Sequence, residues 1–402
     1  MNLDTNGKIL WQTCVGGLAG NDYLYSIAET SDGGYIAGGL TGSLDEGFNN
    51  HGGGDAYVVR VDSTGYILWQ KCLGGLGGES VTSIINTSDG GFIFTGDVSS
   101  DDGDVVGYHG IFSDSSWKFP DVWVVKLDTV GKIMWQRCLG GYGDDKAGVI
   151  ILTNDGGYLV GGGSLASDSI LLEHPSSDMW VSKLNASGVI EWQKYFGGSG
   201  IDYCFSAKQT GEGGYIIAGV TNSTDGILNR GSSNNNFSDG WIIKLSDSGN
   251  INWQQCIGGL GGDDICTIIE ANHNDYVACG VTNSHDGLFS EFYGGTDLFV
   301  AKIHPPSSVV SYSYDVSNLL KIFPNPSNDH VQFQLIKAET IQKVEIFDLM
   351  GGKLNSKAEL HQNVALLPTS LLIPGTYFVR VTYMYNNILD ASTLPFVVLH
   401  SQ

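Results

Sequence analysis

The chain has 402 residues, 57 of them glycine, and carries 43 acidic side chains against 20 Lys and Arg, a formal charge of −23. A surface this acidic repels nucleic-acid phosphates and sets that partner class aside. No run of about 18 apolar residues is present to span a membrane as a helix.

Glycine without a three-residue period, beside short aromatic and β-branched runs, predicts many short strands joined by tight turns. The opening "MNLDTNGKILWQ" lacks the charged and apolar regions of a secretory leader. Its "LDTNG" matches the "LDTVG" at residues 127–131. The first residues therefore read as the tail of an earlier repeat. On that reading the native protein is longer, and Met1 is an internal start or a fragment end.

The dipeptide Trp-Gln recurs at Trp11, Trp69, Trp135, Trp192 and Trp253, at spacings of 58, 66, 57 and 61 residues. Each copy is followed by a Gly-Gly pair, an apolar run, a turn, a second apolar run, a variable loop, and an Asp that opens a strand with one basic residue. In the second copy the strands are "YILWQKCLG", "VTSIINT", "FIFTGDV" and "DVWVVKLD", with "SDGG" as a glycine turn. Four antiparallel strands in about 60 residues make one propeller blade. The expected fold is all-β: a five-bladed β-propeller of four-stranded blades over residues 1–303, with more blades in a longer native protein, and a small C-terminal β-sandwich. "KILWQTC" has no fourth strand before it and "DLFVAKI" no Trp-Gln strand after it, so the two are expected to pair and close the ring.

Arg60, Lys126, Lys183, Lys244 and Lys302 share one strand position, which reads as a solvated edge charge or a cross-strand pair. Asp55, Asp121, Asp178, Asp239 and Asp297 recur before that strand. They read as backbone-capping turn residues or as a ring of carboxylates. Of seven cysteines, Cys14, Cys72, Cys138 and Cys256 repeat at one position, as small buried hydrophobes or as thiols for bridges or metal. Cys256, Cys266 and Cys279 fall in one repeat and could bridge.

The turn "TSDGGY" resembles the Asp-box of sialidases and related propellers, at Thr30-Asp32-Gly34, Thr87-Asp89-Gly91 and Thr153-Asp155-Gly157. Glu212 replaces its Asp in the fourth copy, and "ANHND" loses the pattern in the fifth. In those families the box is structural and sits away from the active face. The whole repeat also resembles propeller repeats common in secreted proteins of the Bacteroidetes. That resemblance covers about three quarters of the chain and implies a fold and a compartment.

Closely spaced Asp101, Asp102 and Asp104 are hard oxygen donors suited to calcium, the one candidate cofactor, or an acidic surface turn. The long loops hold Tyr108, His109, Trp117, Asn235, Phe292 and Tyr293. Aromatic and amide groups suit a sugar's apolar face and hydroxyls, and equally suit loop self-packing. The Gly-Gly runs open no helix and fail as phosphate loops.

Residues 304–318, rich in Pro and Ser, read as a linker. Beyond them, residues 319–402 carry "LLKIFPNPSNDHVQFQL", "KVEIFDLMGGKL" and "IPGTYFVRVTY". These resemble the type A C-terminal sorting domain of type IX secretion cargo. Pro324, Asn325 and Pro326 match its first motif, Gly351 and Lys353 its middle turn, and Pro374, Gly375 and Tyr377 its "PGxY" turn. Leu394-Pro395 departs from the Lys many members have before the last strand. The resemblance implies export across the outer membrane with the type IX machinery as partner. Removal of the domain, and release or surface anchoring of the rest, would follow.

The expected function is a secreted or cell-surface, non-catalytic propeller binding glycan or another macromolecule through loops on one rim. One alternative is a glycoside hydrolase or sialidase-like enzyme, another a structural surface scaffold. Arg60, Arg137 and Arg230 are the propeller's arginines, and two sit at repeated strand positions, which argues against a sialidase's carboxylate-binding cluster.

Overall fold

The repeat folds into short antiparallel strands hydrogen-bonded in chain order. The computed structural model describes the chain except residues 46–47, 111–117, 142, 166–176, 225–236, 272–274, 288, 290–292, 306–319, 324–329, 336–339, 348–352, 355–357, 362–363, 370–371, 373–374, 386–387 and 399–402. Two units divide it, Met1–Val309 and Val310–Gln402. The predicted linker falls almost wholly outside the described residues.

In the first unit β1 (Asn2–Leu3) and β2 (Ile9–Trp11) form a hairpin. The first blade is β3 (Asp22–Glu29), β4 (Tyr35–Thr41), β5 (Asp55–Val61) and β6 (Ile67–Leu73). The second is β7 (Ser83–Asn86), β8 (Phe92–Val98), β9 (Asp121–Leu127) and β10 (Ile133–Leu139). The third is β11 (Asp145–Leu152), β12 (Tyr158–Ser164), β13 (Asp178–Leu184) and β14 (Ile190–Phe196). The fourth is β15 (Asp202–Gln209), β16 (Tyr215–Thr221), β17 (Asp239–Leu245) and β18 (Ile251–Ile257). The fifth has three strands among the described residues: β19 (Asp263–Glu270), β20 (Tyr276–Thr282) and β21 (Asp297–Ile303). Sequential four-stranded antiparallel sheets of this kind make a β-propeller.

Two expectations need correction. The sequence repeat and the blade are out of phase by one strand, because the Trp-Gln strand is the last of its sheet. The turn before it is too short to leave the sheet: Asp128 N donates to Lys132 O at 2.9 Å and folds β10 straight back onto β9. The ring closure also differs. β2 pairs with β1, and β21 pairs with β20 alone among the described residues. Asn2 and Leu3 lie opposite Trp11 and Ile9, the register that Lys126 and Leu127 hold opposite Trp135 and Ile133. That edge of β2 is therefore taken.

The Trp-Gln pair has two jobs. Gln turns inward within its own sheet, where its Oε1 accepts from the aromatic on the neighbouring strand: Tyr57 to Gln70 at 2.8 Å, Trp123 to Gln136 at 2.8 Å, Trp241 to Gln254 at 2.9 Å. Trp reaches forward to the next blade. Trp69 packs on Phe92 and donates its indole N–H to Thr129 O, and Trp11, Trp135, Trp192 and Trp253 pack likewise on Tyr35, Tyr158, Tyr215 and Tyr276. The turn that receives the ring needs glycine. Gly131 has φ +78°, and a Cβ there would sit 2.9 Å from the Trp69 ring.

β5, β9, β13 and β17 are buried along their whole length. Neighbouring blades cover both faces of β9, β13 and β17, and on β5 the second blade covers one face while Trp11, Val15 and Phe48 cover the other, so strand alternation brings no residue to water. The repeated basic residue is thus not a solvated edge charge: Arg60, Lys126, Lys183 and Lys244 are all at most 5 % exposed. Arg60 binds Asp32 (2.5 Å), Lys126 binds Asp89 (2.9 Å) and Lys183 binds Asp155 (2.8 Å), tying the Asp-box turn to its own sheet. In the fourth blade Lys244 Nζ donates to Gly213 O and Leu245 O. Its pKa is lowered, first by desolvation, against the pull of Glu212, Asp247 and Glu270. In the fifth, Asp275 restores the carboxylate from a shifted position and binds Lys302 at 2.6 Å.

Removing Asp89 leaves the Lys126 ammonium buried against one carbonyl. Asp89→Ala is expected to cost ~1.5–3 kcal/mol, read as a lower urea midpoint. Lys126→Met in the same chain should recover most of it, because the stranded charge is gone.

The second unit stacks two four-stranded sheets. One holds β22 (Leu320–Phe323), β23 (His330–Leu335), β26 (Glu359–His361) and β27 (Val364–Pro368). The other holds β24 (Thr340–Phe347), β25 (Lys353–Leu354), β28 (Gly375–Tyr385) and β29 (Ile388–Val398). Val331, Phe333, Ala365 and Leu367 of the first sheet meet Ile341, Ile346, Val379 and Val381 of the second in one core, as the predicted β-sandwich requires.

Candidate functional site: rim loops and sorting domain

The Gly-Gly segment carries the chain from one blade to the next, and its amides are held by a repeated carboxylate. Gly17, Gly75, Gly141, Gly198 and Gly259 donate to Asp22, Glu79, Asp145, Asp202 and Asp263, each of which opens the next blade. A hydroxyl completes each knot: Ser43, Ser100, Ser223 and Ser284, two residues past the second strand, and Ser164, the last residue of that strand, donate to the same acids. The sequence signal was present as Gly-Gly, an acid a few residues on, and a later Ser, but it emerges only when the copies are aligned on the Gly-Gly pair.

Asp55, Asp121, Asp178 and Asp239 are buried at the opposite side of these junctions. A Cβ on Gly197 would lie 2.3 Å from Asp178 Oδ1 and 2.4 Å from Asp202 Oδ2, so the two carboxylates converge on a glycine. Desolvation, helped by Asp121, pushes Asp145 up to about 6, and desolvation also raises Asp55 and Glu79. Asp97, on β8, is likewise raised to about 6 by desolvation, with its Oδ1 accepting from Ala147 N.

The acids Asp101, Asp102 and Asp104 serve this scaffold. Asp101 binds Lys118, Asp102 Oδ1 accepts from Leu76 N at 2.8 Å, and Asp104 Oδ2 accepts from Gly74 N at 3.3 Å. Asp286 holds Leu260 N in the same way in the fifth blade. Among the described residues no three His, Cys, Asp or Glu side chains gather closely enough to hold a metal ion. Cys14, Cys72, Cys138, Cys204, Cys266 and Cys279 are free thiols; Cys138 and Cys204 are buried, whereas Cys14 and Cys266 are exposed.

The structure brings Tyr108 and His109 together at the rim of the second blade. His109 donates its backbone N–H to Asp121 (2.7 Å), and its Nδ1 lies 3.0 Å from the same carboxylate. Tyr108 donates to Phe119 O, and the Lys118 ammonium stands 5.4 Å from its ring centre. His51, which sequence reasoning passed over, repeats the geometry on Asp55 at 2.6 Å. That hydrogen bond is the first reason its pKa is raised. Tyr293 holds the same place in the fifth blade, its N–H on Asp297 and its side chain 85 % exposed. Trp117, Asn235 and Phe292 lie outside the described residues.

His109 also lines an open cleft of ≈ 580 Å³ with Arg137 and Gln193, walled by Leu139, Val189 and Ile190. The Asp121 carboxylate fixes the imidazole and leaves it half exposed. The arrangement offers three polar side chains over an apolar wall.

Of the sorting-motif residues, Lys353 opens β25 opposite Phe347, Gly375 opens β28 opposite Val398, and Tyr377 lies opposite Phe396. Pro324, Asn325, Pro326, Gly351 and Pro374 lie outside the described residues.

The first unit defines the chain as a β-propeller protein. Residues 321–390 match the family described as "Secretion system C-terminal sorting domain". The chain therefore carries a type IX sorting domain, which marks it for secretion or the cell surface. No curated protein matches the chain. Among solved structures it is similar to Sqt1 from Chaetomium thermophilum, with 13 % identity over 65 % of this chain and 80 % of that one, and a TM-score of 0.26. It is also similar to a Bombyx mori GH32 β-fructofuranosidase, at 9 % identity over 93 % and 81 % with TM-score 0.34. A xylan β-1,4-xylosidase from Bacillus halodurans gives 10 % over 94 % and 90 %, with TM-score 0.33. At such scores the likeness says nothing of substrate or reaction. No helix among the described residues is long and apolar enough to cross a membrane.

Proposed function

We propose that this is a non-catalytic glycan-binding propeller of the cell surface or the secreted fraction, exported through its sorting domain. The observation that carries the reading is the rim cleft beside His109. Its Arg137 and Gln193 donors suit sugar hydroxyls, and the Leu139, Val189 and Ile190 wall suits the apolar ring face. The Asp121 bond holds His109 ready before any ligand arrives, which lowers the ordering cost of binding. Against catalysis stands the setting of the two acids raised to about 6: Asp145 is 1 % exposed and engaged with Gly141 and Ser164, and Asp97 accepts from Ala147 N.

A glycan array with the protein at high surface density, run with and without calcium, is expected to give weak binding to a related set of glycans. His109→Ala and Arg137→Ala should each lower that signal about tenfold, the effect of losing one charged or well-placed hydrogen bond. Silence on the array together with turnover of a chromogenic glycoside would reverse the reading in favour of a hydrolase.

A further inference from the structure

Acids outnumber Lys and Arg by 43 to 20 in this chain, yet none of the nine residues lining the cleft beside His109 is acidic. Its fixed charge is Arg137. That guanidinium stands 6.0 Å from the Trp135 ring centre and donates one N–H to Gln136 O at 2.7 Å. A guanidinium has several more N–H groups, all donors in one plane. Asp121, the acid bonded to His109, is fully buried and does not line the cleft: it accepts that residue's backbone N–H and meets its Nδ1. With Nδ1 committed, Nε2 is the ring nitrogen left for a ligand, and it donates when the ring is protonated.

The arrangement recurs one blade earlier. Arg137 lies opposite Val124, and Lys71 lies opposite Val58 in the same register. Lys194, opposite Val181, keeps the position basic in the third blade. Lys71 and Arg137 are both exposed. His51 sits on Asp55 as His109 sits on Asp121. The glycine turn that meets the Trp ring is Gly188 for Trp135 and Gly131 for Trp69. The residue after that glycine is Val189 in one and Lys132 in the other. By position, the first-blade place therefore gathers His51, Lys71 and Lys132, again without an acid. The Asp55 hydrogen bond is the first cause that raises the His51 pKa, which favours the imidazolium there.

We propose that these rim sites take sugars bearing a single carboxylate, the uronic-acid residues of an acidic glycan, with Arg137 holding the carboxylate in the second blade and Lys71 in the first. The inference rests on the glycan-binding reading above and names its ligand class. A guanidinium matches a carboxylate with two parallel hydrogen bonds, while Leu139, Val189 and Ile190 take the apolar ring face. The chain's many acids do not forbid this. Their repulsion dies away over about 8 Å at physiological salt, whereas a contact pair is little screened. A dense row of phosphates meets that repulsion many times over, and one sugar carboxylate meets it once. Two equivalent sites on neighbouring blades then add avidity on a surface that displays the sugar repeatedly.

Two immobilised disaccharides test this, one ending in glucuronate and one in glucose, which differ only in a carboxylate for a hydroxymethyl group. At physiological salt the full chain is expected to bind the acidic sugar about tenfold tighter or more, the margin of one charge-assisted hydrogen bond. Arg137→Gln and Lys71→Gln should each shrink that margin, and the double variant should abolish it. Lys208→Gln removes the same charge from an exposed position on β15 and should leave the margin intact. Equal binding of the two sugars, or a Lys208→Gln effect as large as that of Arg137→Gln, overturns the carboxylate assignment and leaves glycan binding standing. Binding to neither sugar, together with a silent glycan array, removes both.

Discussion

A chain ending at residue 318 is expected to remain inside the cell envelope of a host with type IX secretion, while its propeller melts within a degree or two of the full-length protein. The second unit has its own core around Val331, Phe333, Val379 and Val381. A milder variant separates the domain's fold from its mere presence. Phe333 is fully buried, and Phe333→Ala should cost ~3–5 kcal/mol, enough to unfold a domain of this size. Delivery, read by protease shaving or surface labelling, should then fall as far as in the truncation. Normal delivery of the truncated chain would remove the export assignment.

The second large effect is a stability maximum in mild acid. Asp145 titrates near 6 in the fold, against about 4 in an unfolded chain. Its folded pKa is raised, so its neutral form is favoured: that stability is complete below pH 4 and lost as pH climbs through 6. The shift corresponds to roughly 3 kcal/mol, and Asp97 acts in the same direction. Asp89 and Asp155 behave oppositely. Desolvation opposes their charge, but bonds from Thr87 and Lys126, and from Lys183 and Thr153, outweigh it and hold both at about 2. Their contribution is present above pH 4 and disappears as pH falls toward 2. The melting temperature should therefore rise from pH 7.5 to about 5 and fall below about 4. Relief of the −23 net charge also favours the acid side. Asp145→Asn distinguishes the two causes, since it should flatten the neutral limb while leaving the net repulsion almost unchanged. An unaltered limb would mean that this acid is not the source.

The strands were legible because Trp-Gln, the glycine turns and the aspartate before each third strand repeat at nearly constant spacing. Their grouping into sheets was not, since a sequence repeat has no preferred starting strand. The choice falls to turn length: the Asp128–Lys132 turn is tight, whereas the Gly-Gly segment crosses to the next blade. Lys126 and its equivalents were misplaced for a related reason. Polar residues on alternate positions usually mean water, but a strand covered on both faces can hide an ammonium if a turn carboxylate comes to meet it. At the rim, His109 was visible as a loop residue, yet its bond to Asp121 spans twelve sequence positions with no periodic signal. His51 reaches Asp55 across four. Arg137 was noted only as a strand position, and its place in the cleft depends on the turn of the following blade.

The two-way grip of the Trp-Gln pair bears on how such an array changes over generations. Gln secures its own sheet and Trp secures the next, so one half of every joint lies at the end of a repeat. The other half, a glycine turn and an aromatic, lies in the repeat that follows. A duplicated stretch of about 60 residues consequently brings a complete plug and a complete socket with it. Unequal recombination can lengthen or shorten the array without inventing a new contact, while the rim loops diverge from copy to copy under separate selection. Blade number is then loosely constrained in such a lineage, and the joint itself tightly.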